Sequence, residues 1–136
     1  MIVIDTSAFT KFLLQEKDWQ DVVQYIEPKA QPYTVEMLFT ESTNVIWKYV
    51  KKNLISKEEG FEFFEDLKSI YEAQTITAEK NMRYGNLALN IGFAHEIPVY
   101  DSLFIAQAQH YRVSLITCDK KQAAIADKMN IPVEIV

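Results

Sequence analysis

Residues Ile2 to Ile4 form an uninterrupted β-branched run, the pattern of a strand buried on both faces of a parallel sheet, and Asp5 ends it. Ala8, Phe9, Phe12 and Leu13 then recur at helical spacing. Trp19, Val22, Val23 and Ile26 repeat that spacing behind Asp18, a residue type suited to capping a helix, and Pro28 closes the second helix. Tyr33 to Val35 predicts a brief extended piece. The longest apolar stripe follows, through Leu38, Val45, Ile46, Tyr49 and Val50. Ser56-Lys57-Glu58-Glu59 has the form of a capping box, and Phe63, Phe64, Leu67, Ile70 and Tyr71 continue from it on one helical face. Residues 74–76 read as a short strand, and Thr77 as the cap of a helix through Met82, Ala88, Leu89 and Ile91 that stops at Gly92.

The last third is more regular. Pro98-Val99-Tyr100 reads as extended, Asp101 opens a helix with Phe104, Ile105 and Ala108, and Val113 to Thr117 reads as a strand. Asp119 and Lys120 then open a helix with Ala123, Ala124 and Met129, and Val133 to Val136 closes the pattern as a strand. Strands alternating with helices predict a parallel sheet covered on both faces. The expected architecture is a three-layer α/β/α domain with a central parallel sheet and an insertion of helices in its middle, one domain over residues 1–136.

Composition narrows the class without changing this picture. A chain of 136 residues, 49% hydrophobic and 24% charged, buries about two-thirds of its unfolded surface and needs neither disulfides nor a structural metal to fold. Cys118 is the only cysteine, which excludes an intramolecular disulfide and a cysteine-based zinc cage. With 3 Gly and 4 Pro, no stretch reads as a linker. The opening residues lack the basic and apolar regions of a secretory signal, and no apolar run is long enough to span a bilayer, so the expectation is a cytoplasmic protein with no membrane contact. Lys and Arg total 14 against 19 Asp and Glu, a net charge of −5, which argues against nucleic-acid binding by bulk positive charge. Any such contact must be local.

The candidate chemistry lies in carboxylates. Asp5, Asp101 and Asp119 each follow a predicted extended segment, and in open parallel sheets ligands bind beyond the carboxyl ends of the strands, where strand order reverses. Glu41 lies beside the buried stripe of its helix, and Asn44 shares that face one turn on. Taken singly, an Asp at a helix start is an N-cap and a helical Glu is solvated. Taken together, four converging carboxylates cannot all stay ionised without a counter-charge. A divalent cation supplies it, and Mg²⁺ or Mn²⁺ matches an all-oxygen donor set, whereas zinc favours His and Cys ligands. Such a site suits phosphodiester hydrolysis by metal-activated water.

The stretches Val3-Ile4-Asp5-Thr6-Ser7, Phe39-Thr40-Glu41-Ser42-Thr43-Asn44-Val45-Ile46-Trp47, Tyr100-Asp101-Ser102-Leu103-Phe104-Ile105-Ala106 and Ile116-Thr117-Cys118-Asp119-Lys120 resemble, in order and spacing, the four motifs of PIN-domain ribonucleases, especially the VapC toxins of toxin–antitoxin pairs. The resemblance covers essentially the whole chain. It implies Mg²⁺- or Mn²⁺-dependent endonucleolytic cleavage of RNA, with Asp5, Glu41, Asp101 and Asp119 as the catalytic, metal-holding quartet and Ser7 supporting the first aspartate. It also implies a homodimer or higher even oligomer, neutralised by a small antitoxin whose tail covers the site. Cys118 departs mildly from the family pattern, which has a small residue such as alanine there.

Other residues take supporting readings. Thr6 and Thr117 suit hydrogen bonding to the carboxylates, although turn capping explains them nearly as well. Lys48, Lys51 and Lys52, with Lys120 and Lys121, form a candidate basic rim for RNA. The first group equally complements a helix C-terminus, while the second sits at a helix N-terminus, where cations are unfavourable and a phosphate or carboxylate partner explains them better. His95 and His110 lie in no ligand spacing. Phe61, Phe63 and Phe64 read as core or subunit interface rather than a base-stacking platform, and the segment Ser56 to Tyr71, with Phe61 projecting off its stripe, reads as a two-fold contact. Two other functions are consistent with the carboxylates. One is a catalytically silent PIN-like module that binds RNA or acts as a scaffold. The other is a phosphatase of the haloacid-dehalogenase type with Asp5 as nucleophile, a family that has a second Asp where Ser7 stands.

Overall fold

The computed structural model describes residues 1–136. Its five strands are β1 (Ile2–Ile4), β2 (Pro32–Val35), β3 (Thr77–Glu79), β4 (Leu115–Thr117) and β5 (Val133–Ile135). All pairings are parallel, in the order β3-β2-β1-β4-β5, with Val3 opposite Tyr33 on one side and Leu115 on the other. The run that opens the chain is therefore the central strand, and its Val3 and Ile4 are fully buried, as a strand covered on both faces requires.

The helices are α1 (Thr6–Leu13), α2 (Gln20–Ile26), α3 (Met37–Lys51), α4 (Lys57–Glu72), α5 (Gly85–His95), α6 (Val99–Tyr111) and α7 (Lys120–Lys128). α1 to α4 pack on one another, while α6 covers β1 and β2 with α5 and α7 beside it, giving the three-layer α/β/α architecture. From β1 the chain steps outward through β2 to β3, then returns to β4 on the other side of β1 and continues outward to β5. The two directions diverge between β1 and β4, so the ligand crevice of such a sheet falls at their carboxyl ends.

Local signals explain most elements. Ser56 and Glu59 close the capping box of α4 in both directions, at 3.1 Å and 3.0 Å. α6 is buried without a break from Ser102 to Ala108, because it is enclosed by the sheet and its neighbouring helices. No helix is long and apolar enough to cross a membrane.

Four expectations are corrected. Val99 and Tyr100 are not extended: Pro98 is the N-cap, with φ −60° and ψ 148°, and α6 begins directly after it. The proline carbonyl accepts Ser102 N at 3.2 Å and Ser102 Oγ at 3.0 Å, and this anchoring outweighs the β preference of Val and Tyr. The edge strand lies at Thr77–Glu79 rather than 74–76, so Thr77 pairs with Tyr33 and caps nothing. α5 runs through Gly92 to His95 and ends at Glu96, which is left-handed at φ 54°. Gly92 is needed for a different reason: a Cβ there would stand 2.9 Å from the Ile97 carbonyl. Asp18, also left-handed at φ 61°, turns the chain ahead of α2 and caps nothing.

Candidate active site

Asp5 follows β1 directly, and its backbone N–H still bonds to the Ile116 carbonyl of β4 at 3.1 Å. Its side chain caps α1, accepting Ala8 N at 2.9 Å, so the same carboxylate that ends the strand starts the helix. Ser7 Oγ donates to Oδ1 at 2.7 Å and Thr117 Oγ1 donates to Oδ2. Although three donors stabilise its charge, Asp5 is fully buried, and that burial dominates: its pKa is pushed up to about 6, with the nearby Asp119 adding to the rise.

Ser7 and Thr117 also join the ends of the two central strands. Ser7 Oγ accepts Cys118 N at 2.8 Å, and Thr117 Oγ1 accepts Asp119 N at 2.9 Å. Asp119 caps α7 in turn, its Oδ1 taking Lys121 N at 2.8 Å and Gln122 N at 3.1 Å. Glu41, in the second turn of α3, is half-buried and accepts Thr6 Oγ1 at 2.6 Å, a bond that ties α3 to α1. Burial raises its pKa, Thr6 opposes the rise, Asp101 adds to it and Lys48 opposes it. Asp101, in the first turn of α6, is raised by burial and by Asp119, against a smaller pull from Lys121.

The four carboxylates thus repel one another in sequence, Asp5 with Asp119, Asp119 with Asp101, and Asp101 with Glu41. The ion pairs of the fold, Lys29–Glu27 and Arg83–Glu79, involve none of them. No three of these side chains stand close enough together to grip an ion as a closed cage. An all-carboxylate set of oxygens fits a hard cation that keeps several waters and takes one or two carboxylates directly, the habit of Mg²⁺. The residues present fit such an ion.

The other predicted residues divide. Lys48 and Lys121 face Glu41 and Asp101 closely enough to offset their raised pKa values, whereas Lys120 is simply exposed at the start of α7. Lys51 lies over the Trp47 ring, its Nζ 5.9 Å from the centroid. Asn44 is exposed and bonds to none of the four carboxylates. It lines a groove of about 570 Å³ between α3 and α4, together with Thr40, Trp47 and Tyr71. Phe63 is half-buried, Phe64 lines the groove and Phe61 is 73% exposed. His110 packs edge-on against Tyr84 and Tyr111, away from any carboxylate cluster.

A second polar centre was not anticipated. Glu79, at the end of β3, accepts Tyr84 OH at 2.6 Å, Gln107 Nε2 at 2.8 Å and Tyr111 OH at 2.9 Å, and pairs with Arg83. Gln107 Nε2 also donates to the Thr34 carbonyl at 2.9 Å, so the hub binds the edge strand and β2 to α6. The Glu79 to Arg83 spacing of four was the only local signal of it.

A parallel three-layer domain with acidic side chains where the strand order reverses defines the class: an α/β protein with a carboxylate-lined sheet end. The chain belongs to the PIN domain family, whose model matches residues 2–128. It is similar to Ribonuclease VapC3 of Pyrobaculum aerophilum, with 22% identity over 122 residues that cover 90% of this chain and 92% of that protein. It also shares its fold with the crystal structure of PAE2754 from Pyrobaculum aerophilum, with a TM-score of 0.69 and 14% identity over 91% of this chain and 84% of that one.

Proposed function

We propose that this protein is a Mg²⁺- or Mn²⁺-dependent endoribonuclease, a single-domain VapC-type toxin acting in the cytoplasm and neutralised by a cognate antitoxin. The observation that carries the reading is the convergence of Asp5, Glu41, Asp101 and Asp119, mutually repelling and with no cationic side chain paired to any of them. Family membership and the similarity to a protein named as a ribonuclease support it.

When bound, the divalent ion supplies charge for the phosphate oxygens and makes an attacking water more acidic. The protein supplies placement. Asp5 is held by Ser7, Thr117 and the start of α1. Thr6 holds the Glu41 carboxylate by its Oε1. Asp101, Glu41 and Asp119 are partly exposed, unlike Asp5, and Asp101 and Glu41, whose carboxyls are raised by burial, are suited to accept a proton from water. Lys48 and Lys121, on either flank, suit the flanking phosphates. An aspartate-nucleophile phosphatase is disfavoured, since Ser7 stands where that family has a second, proton-donating Asp and its hydroxyl is committed to Asp5. A homodimer or higher even oligomer, which the family resemblance implies, belongs to the same reading, with the exposed Phe61 of α4 as its candidate contact.

The test is cleavage of labelled RNA by the wild type and by Asp101→Asn. The wild type cleaves in Mg²⁺ or Mn²⁺ and the variant loses at least a hundredfold in rate. Wild-type rates in the variant remove Asp101 from the site, and a folded, metal-supplied wild type that cleaves no RNA sinks the reading in favour of a silent binding module.

A further inference from the structure

We propose that the groove between α3 and α4 receives an unstacked RNA base adjacent to the phosphate that is cleaved. The inference rests on the ribonuclease reading and names the part of the substrate that reading leaves open.

Position comes first. Thr40 and Asn44 line the groove, and on α3 they stand one residue before and three after Glu41, whose side chain turns the other way to Thr6. The groove and Glu41 thus share helix α3, and a strand whose phosphate lies at Glu41 reaches the groove by crossing that helix at Asn44. The volume, about 570 Å³, lies within the range of about 300–1,000 Å³ that small-ligand sites occupy.

Chemistry comes second. Trp47 is 58% exposed and Tyr71 53% exposed, and Phe64 lies between α3 and α4 on the same lining. Single-stranded nucleic acid is held by aromatic faces of this kind because every base has a face to stack. Asn44 makes no hydrogen bond within the protein and offers both a donor and an acceptor to a base edge.

Charge selects the occupant. Lys68 lines the groove from α4 and Lys51 sits over the Trp47 ring. Helical spacing turns Glu58, Glu62 and Glu65 away from the α4 face that carries Phe64, Lys68 and Tyr71. In a chain of net charge −5, this sets two cations at an aromatic slot on the helix that carries Glu41. A polyanion carrying aromatic bases complements all three features. A peptide helix would use the apolar walls alone and leave Asn44 and the lysines unmatched unless its own face were acidic.

The experiment uses the inactive variant Asp5→Asn with Trp19→Phe added. Trp19 packs on Phe12 outside the groove, so Trp47 becomes the sole tryptophan. Its fluorescence is titrated with short single-stranded homopolymers of A, C, G and U, and with an abasic ribose-phosphate strand of equal length. At least one base-bearing strand quenches Trp47 and the abasic strand does not. In the otherwise wild-type enzyme, Trp47→Ala raises KM for a cleaved RNA about tenfold with kcat within about twofold, and Trp47→Phe restores KM. Equal quenching by the abasic strand, or an unchanged KM in Trp47→Ala, overturns the inference. So does quenching by an acidic amphipathic peptide but by none of the RNAs, which assigns the groove to a protein partner. RNA cleavage by the wild type separates the failures: cleavage without base-dependent quenching overturns the groove alone, whereas no cleavage overturns the ribonuclease reading with it.

Discussion

Replacing Asp5 with asparagine should stabilise the metal-free protein at neutral pH and leave it no more stable in acid. Burial lifts the Asp5 carboxyl from the ordinary 3.8 to about 6. At pH 3 it is protonated in both folded and unfolded chains, so burial of charge costs nothing there. Between about pH 4 and pH 6 the unfolded chain releases this proton and the folded one retains it, so stability falls with rising pH and then levels off. At about 1.36 kcal/mol per pH unit, the loss is about 3 kcal/mol. Asparagine removes it but disturbs one contact. Its oxygen still accepts from Ala8 N and Ser7, whereas its amide would face Thr117 Oγ1, which now donates to Asp5 and already accepts Asp119 N. That mismatch costs about 1 kcal/mol. The net gain is about 1–2 kcal/mol at pH 7.5, or several degrees in Tm for a domain of this size. Thermal unfolding of both proteins in chelator, from pH 3 to pH 8, should show the variant slightly the less stable in acid, its advantage opening between about pH 4 and pH 6 and holding level above that. A variant less stable than the wild type by a constant amount at every pH would refute the reasoning, because the three hydrogen bonds would then outweigh the buried charge.

Other outcomes follow from the same structure. Millimolar Mg²⁺ or Mn²⁺ should raise the wild-type Tm, since an ion that binds only the folded site stabilises it by mass action, and should raise that of Asp5→Asn less; a wild-type melt indifferent to either ion counts against the metal site. Glu79→Gln should cost about 1–3 kcal/mol through loss of a charge that organises Tyr84, Gln107, Tyr111 and Arg83, with cleavage per folded molecule unchanged. Donors led by Tyr84 hold the Glu79 carboxyl below the ordinary glutamate value against the opposing effect of burial, so its contribution is present at neutral pH and lost as pH falls through the lowered value. The variant's deficit should therefore shrink in acid, and a deficit that is constant with pH refutes the charge argument. Light scattering at micromolar concentration should give twice the chain mass or an even multiple, and a monomer that still cleaves RNA removes the dimer as a requirement.

The central strand was legible because three consecutive β-branched residues ahead of an aspartate admit few other readings, and α4 because its capping box is complete. The acidic positions were legible for the same local reason: Asp5 directly after β1 and Asp119 one residue beyond the end of β4 are helix caps, and a cap is encoded within four residues. Asp101 was found with the wrong surroundings. Val99 and Tyr100 carry strand propensity, yet the proline before them fixes a backbone suited to starting a helix, and tertiary burial of α6 decides the matter. The Glu79 hub could not be read, since its partners at 84, 107 and 111 meet only when the edge strand docks on α6. The groove has the same origin: exposed Trp47 on the polar side of α3 was a sign of it, but its other wall is supplied by α4.

Cleavage of RNA by this acidic cluster through a divalent ion is the central claim. A single time course supplies the answer, in which end-labelled single-stranded RNA is incubated with the wild type in Mg²⁺ or Mn²⁺, with the wild type in excess chelator, and with Asp5→Asn in the same metal. The prediction is internal cleavage in the first reaction only, restored in the second when metal is added back. Cleavage that persists in chelator, or that Asp5→Asn performs at the wild-type rate, would contradict it.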